Sequence, residues 1–307
     1  MIKELPLVSI VAINYNNSKY IIETLDSIAN QTYENIELII VDDCSTDNSV
    51  EKIDHWLLNF YKSYQFIKHS INQGVCKTIN DGYKKAKGKY ITSIATDDIM
   101  LLDKIQKQVE LLEKTGEEVG MLYSDAYLIG ENNEPMEGMF IKKYGYIKDI
   151  PPSGDLYKIL LKGNFIPAMS ILIKKTVFKD IGYFDENLYY EDYDMWLRIA
   201  KKYQIIYSEF PSVKYRIREK GLALSTEKEI WNYNNLLIYF KHKDMELGFC
   251  KIKEITYSSF LDNQKSIKKL IKKHMPNFKL INTIWGIYFL PHKIKIKLYT
   301  ILDNLKK

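Results

Sequence analysis

At 307 residues, 46% hydrophobic and 27% charged, the chain has an ordinary soluble globular composition, with room for one large domain and an appendage or for two domains. Its three cysteines, Cys44, Cys76 and Cys250, are odd in number, widely spaced and without a CxxC or His-rich companion, which argues against a disulfide framework or a zinc site and for a reducing compartment. The net charge of +5 is unevenly spread: residues 265–307 hold eleven lysines against the single acid Asp303, leaving the rest of the chain at −5 and suggesting an anionic partner surface for the tail.

In chain order, Met1-Ile2-Lys3-Glu4-Leu5-Pro6 lacks an apolar signal core, and no apolar run reaches the roughly 18 residues needed to span a bilayer. Neither a cleaved leader nor an integral membrane protein is expected. Val8 to Ile13 reads as a strand, Lys19 to Asn30 as a helix carrying Ile21, Ile22, Leu25 and Ile28, and Ile36 to Val41 as a second strand. A helix opening at Ser45-Thr46-Asp47, a strand at Gln65 to Lys68, a helix from Gly74 to Lys87, the apolar run Tyr90 to Ile94, a helix from Leu101 to Lys114 and a strand at Gly120 to Ser124 continue the alternation. Repeated βαβ units predict a mainly parallel, Rossmann-like α/β sheet with helices on both faces.

Beyond Gly130 the pattern loosens through a turn at residues 131–135 and a break at residues 151–154. It resumes with a helix at Leu156 to Leu161, a strand at Ala168 to Ile173, a helix at Asp192 to Lys202 and a last strand at Ile205 to Ser208. After Gly221 only helical signals remain, so the expected division is an α/β domain at 1–220 and a basic helical extension at 221–307.

Three acidic clusters stand at ends of elements. Asp97 and Asp98 follow the Tyr90 to Ile94 strand, where open α/β sheets bind ligands, and can hold Mg²⁺ or Mn²⁺ carrying a diphosphate; the alternative is a cap on the following helix. Asp42 and Asp43 follow the second strand, where Asp43 can accept from a nucleobase imide N–H or serve the next helix as a dipole-favoured acid. Glu191 and Asp192 open a helix whose Trp196, Leu197 and Ile199 can face the core; a carboxylate there can be a general base or a cap.

Taken in order, these sites resemble the family 2 glycosyltransferases, inverting enzymes of the GT-A fold that use nucleotide sugars. The resemblance covers about residues 5 to 220. It runs through Val8-Ser9-Ile10-Val11 to Tyr15-Asn16, Gln31-Thr32-Tyr33, Val41-Asp42-Asp43, Asn72-Gln73-Gly74, Ala86-Lys87-Gly88-Lys89-Tyr90, Asp97-Asp98, Gly182-Tyr183-Phe184-Asp185-Glu186 and Glu191-Asp192 ending in Trp196-Leu197-Arg198. It implies that Tyr15 and Asp43 hold the nucleobase, that Asp97 approaches ribose or diphosphate, that Asp98 holds Mn²⁺ or Mg²⁺, and that Asp192 is the base, with Glu191 and Arg218 also on the donor side. Departures are Ile13-Asn14 in place of a proline or threonine, Ala95 where many members have a further aspartate, Cys44 for a frequent glycine, and Tyr215-Arg216-Ile217-Arg218 for a closing Tyr-Arg-x-His. Arginine cannot ligate a metal, so Arg218 can supply only charge.

The expected donor is a nucleotide sugar, most simply a UDP-sugar, and the acceptor a saccharide or lipid-linked saccharide of a bacterial surface polymer. Two competing readings are a polyprenyl-phosphate sugar synthase, whose phosphate acceptor needs no strong base, and a catalytically silent nucleotide-sugar binder. In the tail, lysines interleave with Ile281, Ile284, Trp285, Ile287, Tyr288, Phe289, Leu290 and Ile294, which favours an anionic membrane surface over nucleic acid or else packing on the catalytic domain. The expected location is the cytoplasm, peripheral to the inner face of the membrane.

Overall fold

The computed structural model describes residues 5–218, 221, 226–262 and 264–275. Contacts divide the chain into two compact units, residues 1–226 and 227–307.

The first unit alternates strand and helix as the hydrophobic periods dictate: β1 (Val8–Asn14), α1 (Ile21–Ala29), β2 (Ile36–Asp42), α2 (Ser49–Leu57), β3 (Ser63–Lys68), α3 (Val75–Lys85) and β4 (Tyr90–Ala95). There follow β5 (Ile99–Met100), α4 (Lys104–Leu112), β6 (Val119–Ile129), β7 (Pro135–Met139), α5 (Phe140–Tyr144) and α6 (Tyr157–Leu160). A 3₁₀ turn (Ala168–Ser170), β8 (Leu172–Lys174), α7 (Val177–Ile181), α8 (Asp192–Ala200) and β9 (Gln204–Arg216) complete it.

The strands form one sheet in the order β3-β2-β1-β4-β8-β6-β9-β5, with β7 paired to β6. Its long ladders, β1 with β2 and β4, β2 with β3, and β6 with β9, are parallel. Short antiparallel pairings of β8 with β4 and β6 turn the sheet's direction in the middle. On one face Val8, Ile10, Ala12, Leu38 and Ile40 pack with Ile21, Leu25 and Ile28 of α1, Ile53 of α2, and Ile105 and Val109 of α4. Each such side chain contributes about 1.5–3 kcal/mol by leaving water. The opposite face carries α3, which lies so close that a Cβ on Gly82 would stand 2.4 Å from Val11 Cγ1.

Three expectations shift. The segment after Asp98 is the two-residue strand β5, and α4 starts only at Lys104 behind Asp103, so neither Asp97 nor Asp98 caps a helix. Ala168 to Ile173 opens as a 3₁₀ turn before a short strand. β9 runs to Arg216 rather than Ser208, because a register shift beyond Ser208 leaves Pro211 outside the ladder before pairing resumes at Val213.

The second unit holds α9 (Lys228–Phe240), α10 (Glu246–Leu261) and α11 (Lys265–His274). Ile267, Leu270 and Ile271 of α11 are buried, and His274 stacks on Phe240 of α9 at 4.8 Å. The aromatic stretch from Ile281 to Ile294 lies outside the described residues. Among those described, no helix is long and apolar enough to cross a membrane.

Candidate active site

Because β1, β2 and β4 are parallel, the residues after each emerge at one edge: Tyr15 after β1, Asp43 after β2, and Asp97 with Asp98 after β4. Asp42 points inward, where its carboxylate accepts Asn14 Nδ2 at 2.6 Å, Ser45 N at 2.9 Å and Ser45 Oγ at 2.6 Å. Asp43 is buried but turned toward α3. Its Oδ1 accepts the Gln73 amide at 2.8 Å and faces His69 Nδ1 at 2.8 Å; its Oδ2 accepts the Gly74 amide at 2.9 Å. His69 Nε2 meets Asp81 Oδ2 at 3.2 Å, so the imidazole is fixed between two carboxylates. Cys44, next in the chain, adopts φ 63°, the left-handed region that favours glycine. Tyr15 is 47% exposed and precedes Asn16, whose Oδ1 accepts the amides of Thr46 and Asp47 and thereby joins the β1 and β2 loops.

Asp98 is 2% exposed. Its Oδ1 accepts the Arg216 amide at 2.9 Å, and its Oδ2 has no hydrogen bond among the described residues. Burial first, and then the neighbouring Asp97 charge, push its carboxyl well above the usual carboxylate range. Asp97 is also raised by burial, against the pull of Arg218 and Arg216. Arg218 Nε lies 3.0 Å from Asp97 Oδ2, close enough for charge pairing but off the line of a hydrogen bond, and its Nη1 donates to Asn17 Oδ1 at 2.8 Å. Arg216 is the buried hub of this corner: it donates to Asp97 O, Gly130 O and Asn133 Oδ1, pairs with Glu23 and lies 4.5 Å from the Tyr20 ring centroid.

These groups suit a hard dication. Asp98 offers a carboxylate oxygen in a site with surplus negative charge, while no group of three His, Cys, Asp or Glu converges among the described residues. A bound Mg²⁺ or Mn²⁺ would therefore take its remaining ligands from substrate phosphate and water, as such ions commonly do.

Glu191 and Asp192 open α8, against which the first turn of the chain from α6 is fastened by Tyr193 Oη donating to Leu160 O at 2.6 Å. Asp192 Oδ1 accepts the Tyr193 amide at 2.6 Å and Oδ2 accepts Asn164 Nδ2 at 2.8 Å. Burial raises Asp192 to about 6, opposed by those two hydrogen bonds; burial and then the Asp192 charge raise Glu191 to about 8. The two buried carboxyls titrate as a pair, both displaced upward by burial and Glu191 also by the Asp192 charge, with only Asp192 held by a side-chain donor among the described residues. Asp194 plays another part: fully buried, it accepts Arg198 Nε at 2.8 Å, and Arg198 in turn donates to Ile181 O and Tyr183 O.

The start of α3 ties the segment before this pair to the Asp43 loop. Two residues beyond the Asp43 clamp, Cys76 Sγ donates to Leu188 O at 3.1 Å, and Asn80 Nδ2 donates to Phe184 O and Glu186 Oε1. The sequence carries no site signal for His69, which lies in a loop with no period, or for Asn164, in an irregular stretch; Arg216 stood only inside the closing Tyr215-Arg216-Ile217-Arg218 motif, with no role assigned to it, and the Asn72-Gln73-Gly74 motif pointed near His69.

Residues 9–182, more than half of the chain, match the family described as Glycosyl transferase family 2. An uncharacterised glycosyltransferase of Rickettsia felis is 32% identical over 86% of this chain, which spans 44% of that relative's length. The Escherichia coli UDP-Glc:alpha-D-GlcNAc-diphosphoundecaprenol beta-1,3-glucosyltransferase WfaP is 31% identical over 75% of this chain and 85% of its own. S. aureus TarS residues 1-349 in complex with UDP-GlcNAc superposes with a TM-score of 0.58 at 19% identity, over 89% of this chain and 76% of that one. The mannosyltransferase PcManGT from Pyrobaculum calidifontis, in complex with GDP-Man and Mn2+, gives 0.59 at 14% identity, over 92% and 85%. The chain belongs to glycosyl transferase family 2 and is a glycosyltransferase of the GT-A fold.

Proposed function

We propose that the enzyme moves a sugar from a uridine diphosphate sugar to a hydroxyl of a lipid-linked saccharide, with inversion, in building a bacterial surface glycan. The observation that carries this reading is the Asp192 carboxylate, held at both oxygens by the Tyr193 amide and Asn164 Nδ2 beside Glu191, on a segment bound to the same α3 terminus that clamps Asp43. The donors and acceptors named for WfaP and the UDP-GlcNAc held by TarS support the choice of uridine nucleotide and lipid-linked acceptor.

In this mechanism Asp43, oriented by the Gln73 and Gly74 amides, takes the imide N–H of the base on a remaining lone pair while Tyr15 covers the ring. Arg218, with an Nε–H unsatisfied among the described residues, faces the diphosphate next to Asp97. Asp98 would hold Mg²⁺ or Mn²⁺, which supplies neutralisation of the charge on the departing nucleoside diphosphate. Asp192 accepts the acceptor hydroxyl proton as that oxygen bonds to the anomeric carbon; the bond to the diphosphate oxygen breaks on the opposite face, its electron pair leaving with the nucleotide. One displacement inverts the centre.

The second unit is proposed to meet an anionic membrane surface. Lys265, Lys269, Lys272 and Lys273 are exposed on α11 while its Ile267, Leu270 and Ile271 are buried, so this helix would adsorb by charge rather than by insertion. The test of the catalytic reading is UDP release from UDP-glucose and UDP-GlcNAc with Mn²⁺ and an undecaprenyl-diphosphate-linked GlcNAc acceptor. Acceptor-stimulated release with a β-configured product is expected; a retained configuration would overturn inversion.

A further inference from the structure

Asn164 lies on the irregular segment between α6 and the 3₁₀ turn, a place where nothing in the sequence pattern demands an amide. Its carboxamide is nonetheless fixed in one sense. Oδ1 accepts the Ile166 amide at 3.1 Å, a donor that cannot reverse its role, so the NH₂ end is the one turned to Asp192 Oδ2 at 2.8 Å. The segment is itself anchored, because Tyr193 Oη holds Leu160 O at 2.6 Å and Phe165 packs edge-on to Tyr123 with centroids 5.8 Å apart.

An NH₂ group donates and does not accept, so it favours a carboxylate over a carboxylic acid at the atom it touches. With the Tyr193 amide on Oδ1, the two hydrogen bonds fix the Asp192 side chain at both oxygens. A lone pair on each oxygen is left for a proton from an incoming hydroxyl. Glu191, next in the chain and competing for the same proton, receives no comparable side-chain donor among the described residues.

We propose that Asn164 is a positioning residue for glycosyl transfer, holding Asp192 in its reactive orientation and favouring its carboxylate form through the donated hydrogen bond. The inference rests on the reading of Asp192 as the base.

The test uses the full chain with ¹³C-carboxyl-labelled aspartate, the Asp192 resonance being assigned by its loss in Asp192→Asn. In Asn164→Ala the Asp192 titration midpoint should rise by about one pH unit, since a hydrogen bond to the charged form is lost. In Asn164→Asp, which keeps the size and the Ile166 contact, it should rise further through like charge. UDP-glucose and UDP-GlcNAc hydrolysis near neutral pH should fall roughly 10-fold in Asn164→Ala, while UDP affinity stays at the wild-type value. An order of midpoints other than wild type, then Ala, then Asp, or an unmoved midpoint, overturns the role; a merely structural residue would lower UDP affinity without ordering the midpoints. Should Asn164→Ala not fold, the isosteric Asn164→Asp carries the comparison alone. A wild-type hydrolysis rate in Asp192→Asn removes the base reading and this inference with it, whereas an inactive Asp192→Asn with an unmoved midpoint sinks the Asn164 role alone.

Discussion

Asp192 and Asp194 stand two residues apart and have opposite fates. The first has one side-chain donor and a raised carboxyl; the second is sealed from solvent and neutralised by Arg198. Asp192→Asn should cut transfer by roughly 10² to 10⁴ with donor affinity nearly unchanged, measured by steady-state kinetics. Asp194→Asn should instead lower stability, by about 3 kcal/mol in a denaturant titration, because it leaves the Arg198 charge half-buried without its partner. Glu191 supplies a pH test. Its folded value, about 8, lies above the ordinary 4.5, so its contribution to stability is fully present below about pH 4.5 and is lost as the pH rises through 8. Glu191→Gln should therefore melt higher than wild type at pH 9 and alike at pH 4, and equal melting at both pH values would contradict the raised carboxyl.

At the scale of elements, the close approaches are made by positions whose residue type is forced. A Cβ on Gly88 would lie 2.7 Å from both Leu7 O and Ser9 N, and the Gly88 amide donates to Ser9 Oγ at 2.8 Å; Gly88→Ala should cost about 1–3 kcal/mol of stability and loosen the start of β4. Cys44 works in the other direction. Its φ of 63° strains a side chain with a Cβ, so Cys44→Gly should leave UDP affinity intact and stabilise by up to about 1 kcal/mol, read as a shift in denaturation midpoint. The long elements were legible in the sequence: the Val8 and Ile36 runs and the Ile21, Leu25, Ile28 stripe have clean periods, and two of the three acidic clusters, at Asp42-Asp43 and Asp97-Asp98, mark the edge where the parallel strands end. β5 was not, since two residues carry no period, nor was the end of β9, where Pro211 imitates a terminus. Asn164 and His69 were hidden for a further reason: each is paired with a residue far along the chain, Asp192 and Asp43, and no local pattern encodes such a pairing.

For the molecule as a whole, the division at residues 226 and 227 lets the roles proposed for the two units be tested apart. A chain of residues 1–226 should bind UDP with Mn²⁺ and hydrolyse donor slowly while failing to sediment with anionic vesicles. The full chain should sediment with vesicles at low salt and release as salt rises, each lysine near the surface contributing about 1 kcal/mol before screening. Indifference of the full chain to vesicles at low salt would contradict the surface assigned to Lys265, Lys269, Lys272 and Lys273. The account as a whole turns on whether the Asp98 corner and Asp192 act on one donor. The most direct measurement is the rate of UDP release from UDP-GlcNAc and UDP-glucose by the wild type, Asp98→Asn and Asp192→Asn, each with Mn²⁺ and with excess EDTA. The account predicts wild-type release that EDTA abolishes, release lost in Asp98→Asn, and release reduced at least 10²-fold in Asp192→Asn; full release in EDTA, or a wild-type rate in either variant, would contradict it.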